Sequence, residues 1–270
     1  MIRLNQFLIY DELTLWSAPF GLTLLDTIRL KKGINILDIG SGAGFPLLEI
    51  AERAGKTAVV YGIDPSADSI KMISKKIERK GISNAFITKG VAEELPFPDH
   101  FFGLIVANNG INNVQDERKV LVECSRVLSD QGQMVLTMNL PHTLVEFYEL
   151  FEQVLLEHKL AEEVRKLKDH IFTKRKSVEY WKETIEKAGF TIRSINVDGF
   201  KMKFMDGTAF LEHYFIHTAF RKSWKEITGD PEIYQAVEEK LNRMAASNGE
   251  LTMSVPYACF DCYKTERLLS

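Results

Sequence analysis

Short apolar runs and longer amphipathic stretches take turns along this chain from residue 35 to residue 138. The runs at 35–39, 58–63, 85–88, 103–107 and 133–138 have the length of buried strands and are too short for helices. The stretches 47–54, 67–80 and 115–128 carry apolar residues three and four apart, which predicts helices with one buried face. Ile70, Ile73 and Ile77 form the stripe of the second of these, with Ser66 placed as its N-cap and Gly81 at its end. Gly55 stops the helix before it, and residues 129–132 read as a turn ahead of the fifth strand. This alternation predicts an α/β fold built on a doubly wound sheet.

Beyond residue 140 the pattern changes. Leu144, Phe147, Tyr148, Phe151, Val154 and Leu155 predict an amphipathic helix with Glu146, Glu149, Glu152 and Glu157 on its other faces. A basic run follows: Arg165, Lys166, Lys168, Lys174, Arg175 and Lys176. It reads as a solvated face, because no aromatic series for stacking bases interleaves it. A helix at 178–188, Gly189 and a sixth strand at 190–195 restore the first pattern. Phe200, Met202, Phe204 and Met205 then suggest an apolar, flexible surface. A helix over 210–225, another over 232–247 and a last strand bent at Pro256 complete the chain. At the other end, Pro19 and Gly21 make 16–21 a loop between two short helices, the second over 22–30.

Composition narrows the possibilities. With 270 residues, 45% of them hydrophobic, the chain can hold one large α/β domain with elaborations or two modest ones. A formal net charge of -3 provides no general attraction to nucleic acid or anionic membranes. Three cysteines are too few for a disulfide scaffold. The Cys259–Cys262 spacing on a strand points the two thiols to opposite faces, a structural arrangement. No run of about 18 apolar residues occurs, and the first residues lack a secretory hydrophobic core, so no membrane association and a cytoplasmic location are expected.

The candidate chemistry is concentrated in Leu37-Asp38-Ile39-Gly40-Ser41-Gly42-Ala43-Gly44, a glycine turn between a strand and a helix. That is the first half of a nucleotide-binding βαβ unit. A dinucleotide fingerprint needs glycine at its sixth position, where Phe45 stands, and Asp38 would oppose a pyrophosphate. The same carboxylate suits a cation. S-adenosylmethionine carries two, a sulfonium and an ammonium group, and Asp64 at the end of the second strand is placed for its ribose diol. The string resembles the first motif of class I S-adenosylmethionine-dependent methyltransferases, with a cofactor domain like that of quinone and small-molecule methyltransferases.

The resemblance covers roughly residues 10–140 and implies a seven-stranded Rossmann-like sheet, last strand antiparallel, with helical insertions after strands five and six. It implies S-adenosylmethionine as cofactor, held by Asp38, Gly40, Ser41, Gly42, Gly44, Asp64 and Pro65. Residues 89–97 resemble the second motif, which adds Ala92 and Glu93; the usual aspartate there is Val91. The amides after strand four, at the carboxyl end of the sheet, give Asn108 to the cofactor through its backbone and Asn109 and Asn112 to a substrate. The expected organisation is a cofactor core with N-terminal flap helices at 1–140, a helical insertion at 141–177, a return to the core at 178–197, a substrate lid at 198–250 and a last strand with the C-terminus at 251–270.

Trp16 in the flap and Tyr214 in the lid are expected to touch the substrate. His213 and His217 stand four apart on one predicted helical face, but lack the accompanying glutamate of a metalloprotease helix, so no metal is expected. His213 is instead a candidate proton acceptor. The implied reaction is in-line methyl transfer to a small, partly apolar molecule, with nucleic acid an unlikely partner and a homodimer compatible with the amphipathic insertions. An RNA methyltransferase, a nicotinamide oxidoreductase and a non-catalytic binding protein of the same fold are the alternatives.

Overall fold

The computed structural model describes residues 15–265, so the first predicted N-terminal helix lies outside the described residues. The chain divides into two compact units. One comprises residues up to 138, 178–197 and those from 257 onward; the other comprises 139–177 and 198–256.

The seven strands are β1 (Asn35–Ile39), β2 (Val59–Asp64), β3 (Ala85–Lys89), β4 (Phe102–Asn108), β5 (Leu128–Asn139), β6 (Phe190–Phe204) and β7 (Leu251–Lys264). They form one sheet in the order β3-β2-β1-β4-β5-β7-β6. β1 pairs in parallel with β2 and β4, β2 with β3, and β4 with β5. Contacts between β6 and β7 run in opposite senses, Thr191 to Thr265 and Arg193 to Tyr263, so the last strand is antiparallel as expected. The order reverses beside β1, where an open α/β sheet leaves its ligand crevice.

In the first unit the helices are α1 (Ser17–Thr27), α2 (Leu47–Ala54), α3 (Ala67–Lys80), α4 (Glu117–Val127) and α7 (Val178–Lys187). Their boundaries follow local chemistry. The Ser66 hydroxyl accepts from the Ser69 amide at the start of α3, and Gly81 closes it with φ 66°, a left-handed conformation cheap only for glycine. Asp116 caps α4 in the same way. Leu24, Leu47, Ile50 and Ile73 pack with Ile36, Val60 and Leu104 in a core that excludes water.

The second unit holds α5 (Val145–Glu157), α6 (Ala161–Lys174), α8 (Gly207–Glu212), α9 (Tyr214–Ala219), α10 (Arg221–Ile227) and α11 (Pro231–Asn248). Its core is aromatic: the rings of Phe147 and Trp224 stack with centroids 4.1 Å apart, and Phe210 lies 5.5 Å from Phe147.

Four local expectations are corrected. Residues 17–21 are helical, not a loop: Pro19 sits in the first turn of α1, where its missing N–H has no intrahelical acceptor to lose. Gly21 belongs there because a Cβ would lie 1.9 Å from the Phe45 ring. The expected turn at 129–132 is an irregularity inside β5, where partners pass from Phe102↔Leu128 to Leu104↔Gln133. β6 runs on to Phe204, so Phe200, Met202 and Phe204 are strand residues, while Met205 just beyond is 81% exposed. The helix expected over 210–225 is three short ones, broken at His213 (ψ 125°) and Phe220. His213 is the N-cap of α9, and the His217 amide donates to its carbonyl at 2.9 Å.

Candidate functional site

The sequence-predicted cofactor residues converge at the carboxyl ends of β1, β2, β3 and β4. β1 and β2 are in register through Ile39↔Ile63, which sets Gly40 next to Asp64. Gly40, Gly42 and Gly44 all have positive φ (72°, 51° and 103°), so the turn keeps this path only with glycine at those positions. The Gly40 and Ser41 amides donate to the Ile63 carbonyl at 2.9 and 3.3 Å, and the Gly42 amide donates to Asp64 Oδ2 at 2.9 Å. The other Asp64 oxygen accepts from the Ser66 amide at 2.9 Å. One carboxylate thus joins the glycine turn to the start of α3.

Asp38 has no such partners. It is completely buried, and neither carboxylate oxygen accepts a hydrogen bond. Ser41, itself buried, donates instead to the Asp38 backbone carbonyl at 3.1 Å. Burial pushes the Asp38 pKa up to about 7; the Ser41 hydroxyl and the Leu47 amide stand near enough to offset part of this without making a hydrogen bond, and the Asp64 charge adds to it. A buried carboxylate without a partner is costly, and a cation beside it relieves the cost. The residues present therefore fit the ammonium-bearing end of S-adenosylmethionine.

A cavity of about 420 Å³ lies alongside, lined by Pro65, Val91, Ala92, Glu93, Asn113 and Gln115 among others. Three of the expected cofactor residues are in its wall, as is Val91 in place of the usual aspartate. Glu93 Oε1 accepts from the Gln115 amide at 2.8 Å, so this side chain also organises the chain ahead of α4.

The amide-rich loop after β4 is tied down from inside. Asn108 Nδ2 donates to the Ser17 carbonyl at 3.2 Å, and Asn108 Oδ1 accepts from the Thr137 hydroxyl at 2.9 Å. Asn109 is left-handed (φ 58°), with its Oδ1 accepting from Asn112 Nδ2 at 2.8 Å and its own Nδ2 buried without an acceptor. Trp16 is buried at the start of α1, its ring 6.1 Å from Phe20. His213 and Tyr214 belong to the second unit; Tyr214 is 81% exposed, and the His213 ring meets Phe204 edge-on. Among the described residues no cluster of three or more metal-ligating side chains occurs.

Sequence reasoning did not assign three residues that build this site. Gly110 lies back to back with Gly40: a Cβ on Gly110 would fall 2.0 Å from the Ile39 carbonyl oxygen, and one on Gly40 2.8 Å from the Gly110 Cα. Lys76, buried, donates from Nζ to the Ala43 carbonyl at 2.5 Å. Its signal was a lysine three residues from Ile73 and one from Ile77, on the apolar stripe. Arg126 donates to the Leu95 and Phe97 carbonyls at 2.9 and 2.8 Å and pairs with Glu123 and Asp99. It thereby holds the segment after Glu93, and its sequence signal was an arginine at the end of an amphipathic helix.

Comparison with known proteins agrees with this geometry. Residues 30–189 match the methyltransferase domain family. The chain belongs to that family, of the class I S-adenosylmethionine-dependent type. It is 32% identical over 149 residues to the demethylmenaquinone methyltransferase of Geobacillus kaustophilus, covering 55% of this chain and 62% of that protein. Identity to the Listeria innocua demethylmenaquinone methyltransferase is 36% over 132 residues, covering 49% and 54%. The matches thus span between about half and three-fifths of the curated relatives. Among solved structures, YcgJ from Bacillus subtilis superimposes with a TM-score of 0.62 at 19% identity, covering 92% of this chain and 98% of that one. The phosphoethanolamine N-methyltransferase 2 of Haemonchus contortus, solved with S-adenosyl-L-methionine, gives 0.57 at 17%, covering 91% and 52%. At such identities the structures establish the fold.

No described helix is long and apolar enough to cross a membrane. Two members of the basic run pair within their own unit: Arg165 with Glu162 and Asp169, and Lys168 with Glu152.

Proposed function

We propose that the chain is a methyltransferase that moves the methyl group of S-adenosylmethionine in line to a nucleophilic atom of a small, partly apolar acceptor. The observation that carries the reading is Asp38, a fully buried carboxylate beside a glycine turn, neither of whose oxygens accepts a hydrogen bond. In this proposal Asp38 faces the cation, and Gly40, Ser41, Gly42 and Gly44 bring the backbone close to it. Asp64 and Pro65 take the ribose, Ala92 and Glu93 the adenine, and Asn108 the methionine end. The bound cofactor supplies an electrophilic methyl on sulfur and leaves as S-adenosylhomocysteine.

The protein's share is alignment and exclusion of water, which is enough for an acceptor that is already nucleophilic. Where the acceptor must lose a proton, His213 is the residue we carry forward, and a pH–rate profile that changes in His213→Ala tests that role. The names of the demethylmenaquinone methyltransferases support a small acceptor with apolar character. Calorimetric titration with S-adenosylmethionine, S-adenosylhomocysteine and NAD comes first. Binding of the first two supports the proposal, and binding of NAD alone overturns it. Release of S-adenosylhomocysteine over a panel of quinols and other small acceptors then tests turnover.

A further inference from the structure

Arg175 is the first residue beyond α6, and its extended backbone (φ −136°, ψ 90°) turns it inward from the basic run. It is 6% exposed. Its Nη2 donates to the Tyr148 hydroxyl at 3.0 Å, and its guanidinium carbon lies 4.7 Å from the centre of the Tyr148 ring. Nε and Nη1 are buried and have no acceptor, so three N–H donors are unspent. Arg165 and Lys168 of the same run are paired with carboxylates, whereas no carboxylate among the described residues pairs with Arg175.

The surroundings supply no substitute. The Tyr148 hydroxyl also accepts from Trp224 Nε1 at 3.0 Å. It lies 3.2 Å from His170 Nε2; because the oxygen already accepts from Arg175 and Trp224, its own proton is left for that nitrogen. Burial, and after it the Arg175 charge, lower the His170 pKa to about 4, so that ring is a neutral acceptor at physiological pH. Tyr148, itself held by Trp224 and His170, keeps the guanidinium in place without neutralising it. A positive charge this far from water, with donors left over, is costly unless an anion completes it.

We infer that the second unit carries a binding site for an oxyanion, a carboxylate or a phosphate, centred on Arg175. A planar guanidinium with free N–H groups suits either anion, which would have to sit on the buried side of the group, where Nε and Nη1 lie. This inference stands on residues of the second unit and does not depend on the methyl-transfer reading.

The test is calorimetric titration of the full chain with inorganic phosphate and with acetate, each against chloride at constant ionic strength. Saturable 1:1 binding of either anion is expected, weakened at least ten-fold in Arg175→Gln. Absence of saturable binding of both anions to the folded wild type overturns the site, as does unchanged affinity in Arg175→Gln. Should that variant not fold, Arg175→Lys serves in its place. It keeps the charge but loses the planar donors, so weaker binding by at least ten-fold supports the site and equal affinity overturns it.

Discussion

Asp64 holds the glycine turn through Gly42: its Oδ2 accepts from the Gly42 amide at 2.9 Å while its Oδ1 accepts from the Ser66 amide at the same distance. The residue placed for the ribose is therefore also a clamp between β2, the turn and α3. Asp64→Ala leaves two backbone donors without partners. Loss of about 1–3 kcal/mol of both stability and S-adenosylmethionine affinity is expected, read by thermal melting and calorimetry.

Asp38 makes a pH prediction. Its folded-state pKa of about 7 lies above the ordinary carboxylate value, so the folded, cofactor-free protein binds this proton more tightly than the unfolded chain. The contribution to stability is fully present below about pH 4, declines as pH rises towards 7 and is lost above it. Asp38→Asn should remove this slope and leave the free protein at pH 8 at least as stable as wild type. A cation drawn to the carboxylate should also bind more tightly as pH rises from about 6 to about 7, and Asp38→Asn should abolish that rise while weakening S-adenosylmethionine at least ten-fold.

Gly110 and Gly40 allow two turns to touch. Gly110→Ala places a methyl group within 2.0 Å of the Ile39 carbonyl oxygen, a backbone atom that cannot step aside. A stability loss of about 1–3 kcal/mol with weakened cofactor binding is expected. Gly42 differs: a Cβ there meets nothing closer than the Gly40 carbonyl oxygen at 3.9 Å, so its need for glycine lies in φ 51°. Gly42→Ala should cost only about 1–2 kcal/mol of stability, a smaller effect on melting than Gly110→Ala at its upper range.

Arg126 acts through the segment it ties down. Its guanidinium ties Leu95, Phe97, Glu123 and Asp99 together, and Glu123 in turn accepts from the Leu95 amide at 2.8 Å. Arg126→Ala should loosen the segment that carries Ala92 and Glu93. We expect a loss of about 1–3 kcal/mol in stability and a faster hydrogen exchange of residues 92–97 in mass spectrometry.

The three thiols should be silent in the native state. Burial raises the pKa of Cys124 and Cys262 far above the usual thiol range and that of Cys259 to about 11, which removes the reactive thiolate at pH 8. A thiol reagent such as Ellman's should titrate none of Cys124, Cys259 and Cys262 in folded protein and all three after denaturation. Rapid native reaction of any one would contradict the burial.

Much of the site was legible because it is local. Leu37 to Gly44, the strand before it and the helix after it lie in one short segment, and a strand feeding a glycine turn has few other outcomes. Ser66, Gly81 and the alternation of strands and helices were readable for the same reason: caps and periodicity act within a turn or two. The errors fell where distant partners decide. Residues 17–21 look like a loop until the Phe45 ring is seen to occupy the space of a Gly21 side chain, and Phe200 to Phe204 look like a lid surface until β6 is seen to continue through them.

By itself the sequence determined the class of fold, the donor-binding turn and its two carboxylates, because steric limits on φ and the placement of charge are set by neighbouring residues. Tertiary structure alone decided that neither Asp38 oxygen accepts a hydrogen bond, that Gly110 backs onto Gly40, and that Lys76 and Arg126 hold the walls of the site. It alone singled out Arg175 from a run of six basic residues as the one buried without a counter-charge. Burial and hydrogen bonding join residues dozens of positions apart, and only the folded chain brings those groups within reach of one another.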